Sequence, residues 1–438
     1  MKKKAYIYHL GCRVNQYEAL LLKDIFKDKG YEILDNSKDA SLIVVNSCAL
    51  TSLAKAKTRN TIRHALKDSP NADVLVTGCY AQTDADSLSK IEKVKWVISN
   101  EFKLNSAEII EANPATNKVQ HFFPKNALPE NSPNFTNIGN SQILDRANIK
   151  IQDGCDNACS YCIIPRARGR ARSRDFENII EEAKALSKRG VRELSITGIN
   201  ISQYQHKGLN IINIIDAINE IDDIYRIRIG SVEAFNFPVE EIVERMANPQ
   251  HKLARHLHIS AQTMSEEMLK IMRRNYSLSE FLSTISYAKA HCPDIAIGTD
   301  IIISHPKETE EIFLESKNII EQNDLFSYMH VFSFSPADKT LAKIMPDQVP
   351  HKIKQERSKI MRALSDYLRL KFYKSQMNKP REVLLENQLN NKYFAHTDNY
   401  IPLYINLPQK NLTNNLALVE INNISNIEHI EAKLIKLL

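Results

Sequence analysis

Short apolar segments alternate with helical patterns through most of the chain, and each of the first three cysteines falls just beyond such a segment. "AYIYHL" precedes a helical pattern from about Tyr17 to Lys29, "SLIVVN" precedes one from Thr51 to Lys67, and "DVLVT" leads into a third. This alternation predicts a parallel sheet. Cys12 follows "YIYHLG", Cys48 follows "VVNS" and Cys79 follows "LVTG". The carboxyl ends of parallel strands share one edge, where open α/β sheets bind ligands. Thiols far apart in sequence are therefore expected to converge.

Residues 124–142 are polar and rich in Pro and Asn, as in a linker. The rhythm then resumes with "ANIKIQ", "ELSITG", "RIRIGSV", "HLHIS", "IAIGTDIII" and "YMHVFSFS", which suggests a partial or complete parallel (β/α) barrel. A charged amphipathic helix follows over 350–377, and "REVLLE", "YFAHTDNYIPLYINL" and "NLALVEI" read as strands. The expected fold class is α/β: an N-terminal parallel α/β domain over 1–123, a linker over 124–142, the barrel with its trailing helix over 143–377, and a small C-terminal all-β domain over 378–438.

Composition narrows the setting. The 438 residues are 43% apolar and 25% charged, ordinary for a soluble globular chain, and the net charge of +6 is weak support for a nucleic-acid partner. No apolar run approaches the roughly 20 residues of a membrane span. Lys2 to Lys4 imitate the start of a signal peptide, but the apolar stretch after them is short and His9 interrupts it. A cytoplasmic location with reduced thiols is expected, with no membrane partner.

Cys155, Cys159 and Cys162 form a C-x-x-x-C-x-x-C run. Three thiolates this close suit an iron–sulfur cluster. A four-iron cluster held by three cysteines keeps one iron open. The alternative, a structural zinc ion, closes with four ligands, and no fourth cysteine or histidine lies nearby. Cys12, Cys48 and Cys79 are a second triplet; singly each would read as a buried thiol. Only 11 glycines occur, yet Gly11, Gly78 and Gly154 each directly precede a cysteine, where close backbone approach to a ligand favours glycine. Cys292 has no such context and reads as structural.

The run at 155–162 followed by "IIPRARGRARSR", with "HLGCRVNQYE" and "VTGCYAQ" upstream, resembles the radical S-adenosylmethionine (SAM) methylthiotransferases over essentially the whole chain. The resemblance implies a methylthiotransferase N-terminal domain, a radical SAM barrel and a C-terminal TRAM-like domain. It implies two [4Fe-4S] clusters: Cys155, Cys159 and Cys162 holding the one that binds SAM, and Cys12, Cys48 and Cys79 holding an auxiliary one that carries the sulfur to be inserted. "GCRVNQYE", "CALTSLAKAKTRNTIRHAL" and "TGCYAQ" resemble the branch that modifies N6-threonylcarbamoyladenosine at tRNA position 37, whereas the isopentenyladenosine branch reads G-C-Q-M-N and the ribosomal-protein branch G-C-P-K-N. The expected activity is insertion of a methylthio group at C2 of that nucleoside, with an electron donor and a sulfur source the sequence does not identify. Rival readings are a methylthiotransferase for another tRNA adenosine, of the isopentenyl type, and a non-catalytic Fe–S or zinc RNA-binding protein. The chain departs from the family in "SAQTM" at 260–264, where L-Q-S-G is usual, and "SHPKET" at 304–309, where G-F-P-G-E-T is usual. Gly198, Glu233 and Gln262 are the expected lining of the SAM pocket.

Two basic rows complete the candidates. Arg166, Arg168, Arg170, Arg172 and Arg174 alternate; in an extended strand they would share a face, about 6.7 Å apart, suited to phosphates. Lys55, Arg59, Arg63 and Lys67 recur every four residues on one face of a predicted helix. Both rows are expected to meet tRNA. Tyr393, Phe394 and Tyr400 are candidates either for base stacking or for the core of the C-terminal module.

Overall fold

A computed structural model describes residues 3–124, 146–409 and 411–438. Apart from Pro124, the predicted linker lies outside these residues. The N-terminal domain is a six-stranded sheet of β1 (Lys4–His9), β2 (Glu32–Leu34), β3 (Leu42–Ser47), β4 (Asp73–Gly78), β5 (Val94–Ile98) and β6 (Gln120–Phe122). Its order is β2-β1-β3-β4-β5-β6, parallel throughout. β3 is buried at every position, as a central strand covered on both faces must be. Its alternate residues enter two cores, Ile43 and Val45 on one side and Leu42 and Val44 on the other. The first helix starts earlier than expected, at Arg13 directly after Cys12. The second spans Ser52–Asp68, capped by the Thr51 hydroxyl, which accepts from the Ala54 amide.

All six barrel strands expected from sequence are present: β7 (Arg146–Lys150), then, after the short antiparallel pair β8 (Gln152–Asp153) and β9 (Arg172–Ser173), β10 (Glu193–Thr197), β11 (Arg226–Ile229), β12 (His256–His258), β13 (Ala296–Ile303) and β14 (Tyr328–Ser333). They form two parallel sheets, β7-β10-β11 and β12-β13-β14, joined by single bridges at Ile227–Leu253 and Val232–Ile259. β7 and β14 do not pair, so the barrel is partial. One apolar core fills it, and Cys292 lies within that core, 3% exposed. The trailing helix, His351–Ser375, packs on β14, where the Ser365 hydroxyl accepts from the Met329 amide and donates to its carbonyl.

The C-terminal module is a closed five-stranded barrel of β15 (Pro380–Leu389), β16 (Lys392–Thr397), β17 (Pro402–Asn406), β18 (Leu416–Ile424) and β19 (Ile430–Leu437). "YFAHTDNYIPLYINL" is two strands, β16 and β17, and β19 carries too weak an alternation to be seen in advance. Docking onto the larger barrel is ionic. Arg226 and Arg228 on β11 are held by Glu193 on β10 at 3.3 and 2.9 Å. The same two guanidiniums also donate to the carbonyls of Glu382, His396, Thr397 and Asp398 in the small barrel.

Burial works against charge on Glu193, but Arg228 and Arg226 overcome it and hold its carboxyl down to about 2, against 4.5 when free. A depressed carboxyl stabilises the fold above its free value and loses that contribution as pH falls through its folded value. The difference in unfolding free energy between the native chain and Glu193→Gln should therefore be largest above about pH 4.5 and close toward about pH 2. Denaturant titrations across that range measure it. A difference independent of pH would detach Glu193's charge from the docking.

Candidate active site

Two adjoining chambers open where the three domains meet, each lined by one cysteine triplet. The smaller, of about 300 Å³, holds Cys155, Cys159 and Cys162 with Asn157, Asn200, Glu233, Gln262 and Arg274. Its loop leaves β8 through Gly154 at φ +71; a Cβ there would sit 1.9 Å from the Arg170 carbonyl oxygen, so only glycine fits. Side chains then orient the sulfurs: Asn200 donates to Cys155 at 3.7 Å and Arg274 to Cys159 at 3.4 Å. Glu233 ties the wall together, accepting from Arg274 at 2.6 Å, from Asn200 at 2.8 Å and from Asn157.

"SHPKET" supports this loop from behind. Ser304 and Lys307 adopt left-handed backbone at φ 59 and φ 70, conformations that glycine enters at lower cost. These are the two positions at which the family word has glycine. The Glu308 carboxylate accepts from the Ser304 amide and from Arg357, bracing the turn. His305 is fully buried, with Nε2 3.1 Å from the Ser160 hydroxyl.

The larger chamber, of about 850 Å³, holds Cys12, Cys48 and Cys79. Gly11 lies at φ +97 with an imagined Cβ 2.8 Å from both Cβ and Sγ of Cys48, so the turn before Cys12 also requires glycine. Leu50, Ile163, Ile164, Ile199 and Phe332, together with the polar Ser231, Ser260 and Asp300, line both chambers and form the neck between them. Burial pushes the Cys48 thiol up to about 11 and the Cys162 thiol up to about 12, so metal binding, rather than bulk deprotonation, is the route to thiolate here.

The thiol spacing bears on the zinc reading. A zinc ion bound to thiolates at about 2.3 Å holds its sulfurs roughly 3.8 Å apart. Neither triplet brings its three sulfurs within 4.8 Å of one another. Neither triplet is therefore drawn together as a compact single-ion site.

Beneath the larger chamber lies a buried charge hub. Glu18, from the first helix, accepts from Lys150 at 3.0 Å, from Lys103 at 2.5 Å and from Arg168 at 2.9 and 3.1 Å. Asp153 accepts from Lys150 at 2.6 Å and from Arg168 at 3.0 and 3.1 Å. Burial opposes the charge of Glu18, yet these three cations hold its carboxyl well below the usual range.

This corrects the arginine row. Residues Ile164–Arg168 form a short helix with proline in its first turn, and only Arg172–Ser173 is strand, so the five side chains share no face. Arg168 is 1% exposed and bound to acids, not available to phosphate; Arg172 and Arg174 are buried as well. Arg166 and Arg170 are exposed, the latter paired with Asp156 at 2.6 Å. The helical stripe divides similarly. Lys55 pairs with Asp338 at 3.2 Å and Asp84 at 3.7 Å, so its anions come from its own chain, and Arg59 donates to the Tyr80 hydroxyl at 2.8 Å. Arg63 and Lys67 are exposed.

Glu233 and Gln262 line the smaller chamber, whereas Gly198 lines the larger one. Any side chain at Gly198 would strike Ile201 Cγ2, 2.7 Å from the Cβ position. Tyr393 is wholly buried in the C-terminal core and Phe394 half-buried, while Tyr400 reaches the larger chamber. Sequence reasoning missed His256, His258, Asp300, Tyr328 and His330, which wall that chamber. The alternation in "HLHIS" was the available signal, since it puts His256 and His258 on one strand face.

Removing one partner of a buried ion cluster leaves the others uncompensated, at a cost of about 3–5 kcal/mol. Glu18→Gln should lower the unfolding free energy by that order in denaturant titration, while Arg170→Gln, altering an exposed pair, should cost less than about 1 kcal/mol. Equal small losses would mean that the hub contributes nothing to holding the domains.

Comparisons with known proteins agree with this arrangement. The Radical SAM superfamily model matches residues 149–319, and the model described as uncharacterized protein family UPF0004 matches residues 4–99. The threonylcarbamoyladenosine tRNA methylthiotransferase MtaB of Bacillus subtilis is 35% identical over 405 residues, covering 90% of this chain and 88% of its own. The protein of the same name from Aquifex aeolicus is 32% identical, covering 90% and 94%. The tRNA-2-methylthio-N(6)-dimethylallyladenosine synthase of Geobacillus thermodenitrificans is 32% identical over 88% of this chain and 74% of its own. Among solved structures, the radical SAM methyltransferase TsrM of Kitasatospora setae shares the fold, with a TM-score of 0.58 at 12% identity over 78% of this chain and 75% of that one. Two thiol triplets facing adjoining chambers, on a chain matched nearly end to end by these enzymes, belong to the radical SAM methylthiotransferase family, in its threonylcarbamoyladenosine tRNA branch.

Proposed function

We propose that this chain inserts a methylthio group at C2 of N6-threonylcarbamoyladenosine at position 37 of tRNA. The observation that carries the reading is the pair of thiol triplets facing chambers with a common neck. Cys155, Cys159 and Cys162 would hold the [4Fe-4S] cluster that binds SAM, and Cys12, Cys48 and Cys79 a second cluster. When bound, these groups supply the radical and the sulfur that no protein side chain provides.

The chain's own residues do the rest. Glu233 and Gln262 face the SAM chamber, where a carboxylate suits the cationic amino group of SAM and Arg274 suits its carboxylate. The neck between the chambers is walled on its apolar side by Leu50, Ile163, Ile164, Ile199 and Phe332, which shields part of the path from one triplet to the other. The larger chamber would receive the base, with His256 and Tyr400, whose rings stack at 4.6 Å, as its aromatic wall. Exposed Arg63, Lys67 and Arg166 are the phosphate contacts that the fold leaves available. The proposed setting is the cytoplasm; no helix among the described residues is long and apolar enough to cross a membrane.

Anaerobic reconstitution should load about eight irons per chain on cysteine thiolates. Cys159→Ala should abolish deoxyadenosine formation from SAM, whereas Cys79→Ala should spare some cleavage while eliminating methylthiolation. About four irons with zinc alongside would overturn the two-cluster reading. Nucleoside mass spectrometry of tRNA from a deletion strain should show threonylcarbamoyladenosine accumulating without its methylthio derivative. Loss of the methylthio-isopentenyl nucleoside instead would move the chain to the other tRNA branch.

A further inference from the structure

The larger chamber carries unbalanced positive charge at a distance from the cysteines' own hub. Arg13 and Arg369 both line it, and neither has a carboxylate partner among the described residues. Arg13, at the start of the first helix, donates to the hydroxyls of Ser195 and Tyr400, both at 3.1 Å. Arg369, from the trailing helix, lies with its guanidinium carbon 5.7 Å over the Tyr328 ring. A short chain of rings joins them: the Tyr328 hydroxyl lies 2.8 Å from His256 Nε2, and the His256 ring stacks at 4.6 Å on that of Tyr400, the partner of Arg13. Among the described residues Asp300 is the one acid lining the chamber, and it is occupied by Ser260 at 2.9 Å, His258 at 3.1 Å and His330 at 3.2 Å.

Two cations satisfied only by neutral hydroxyls and a ring face are under-compensated, and an entering carboxylate would gain charge-assisted hydrogen bonds from both. N6-Threonylcarbamoyladenosine carries such a group, the free carboxylate of its threonine; an isopentenyl group carries none. We propose that Arg13 and Arg369 bind the threonyl carboxylate and so select the charged nucleoside over the uncharged one. The inference rests on the function proposed above and names the residues that read its substrate. Discrimination would come chiefly from rejection, because an apolar substituent desolvates both guanidiniums and returns nothing.

The test uses the reconstituted holoenzyme and labelled anticodon stem-loops bearing threonylcarbamoyladenosine, its neutral threonine carboxamide, or plain adenosine. The native chain should bind the carboxylate form about tenfold or more tightly than the carboxamide. Arg369→Gln should remove most of that preference while leaving affinity for the adenosine stem-loop unchanged, and Arg369→Lys should restore part of it. Arg13→Gln should act likewise; because Arg13 adjoins Cys12, its iron content is measured alongside, and the Arg369 variants carry the conclusion if iron is lost. Equal binding of carboxylate and carboxamide by the native chain would overturn the proposal. So would an equal loss on all three stem-loops in Arg369→Gln, which would make the bound anion a backbone phosphate. Nucleoside analysis of native-enzyme product keeps the two claims apart: methylthiolated threonylcarbamoyladenosine with no carboxylate preference sinks the arginine assignment alone, whereas product only on isopentenyl tRNA sinks the function as well.

Discussion

The Glu18 carboxylate, shared by Lys103, Lys150 and Arg168, sets the position of everything else. Glu18 and Lys103 belong to the N-terminal domain, and Lys150 and Arg168 to the barrel. Apolar surfaces tolerate sliding; directional charge-assisted bonds in a buried site do not. A second contact repeats the logic nearby, where the Tyr17 hydroxyl on the first helix meets Glu182 of the helix Phe176–Lys188 at 3.1 Å, and Glu182 also binds Arg174. Buried ion pairs add little net stability against well-packed apolar alternatives, but they define one register between domains. The two-cluster chemistry proposed for this chain would require such a register.

The hub also has a sign. Lys103, Lys150, Arg168 and Arg172 gather around Glu18 and Asp153, four cations about two acids. Arg168 and Lys103 both bear electrostatically on Cys79, and Arg168 on Cys12 and Cys48 as well. At Cys12 and Cys48 burial still pushes the thiols up, and Arg168 acts against it. The arginine that resembled a phosphate contact in the sequence therefore faces an anionic site of another kind.

Strands and cysteine placement were legible because they depend on local periodicity. Each of the six barrel strands, and each cysteine of the first triplet, could be located from an apolar run and the few residues directly after it. The arginine row was not legible in the same way. Its spacing imitates a strand, but Arg168 is fixed by Glu18, 150 residues away, and no local pattern reveals such a partner. Lys55 is similar, since Asp338 lies 283 residues beyond it. The larger chamber failed for a third reason: Arg13, His258, Arg369 and Tyr400 come from three domains, and each looks ordinary in its own segment. Arg13 stood inside a quoted family word, yet only the fold shows that its guanidinium meets Tyr400.

Tyr400 sits at φ 68 in the turn between β16 and β17, held by the bond from its amide to the Thr397 carbonyl, and its ring lies between those of His256 and His396. The small barrel is thus a structural wall of the chamber as well as an appendage to the chain. Arg226 and Arg228 tie this wall to the larger barrel, so the same few contacts that seat the small barrel also fix the outline of the chamber.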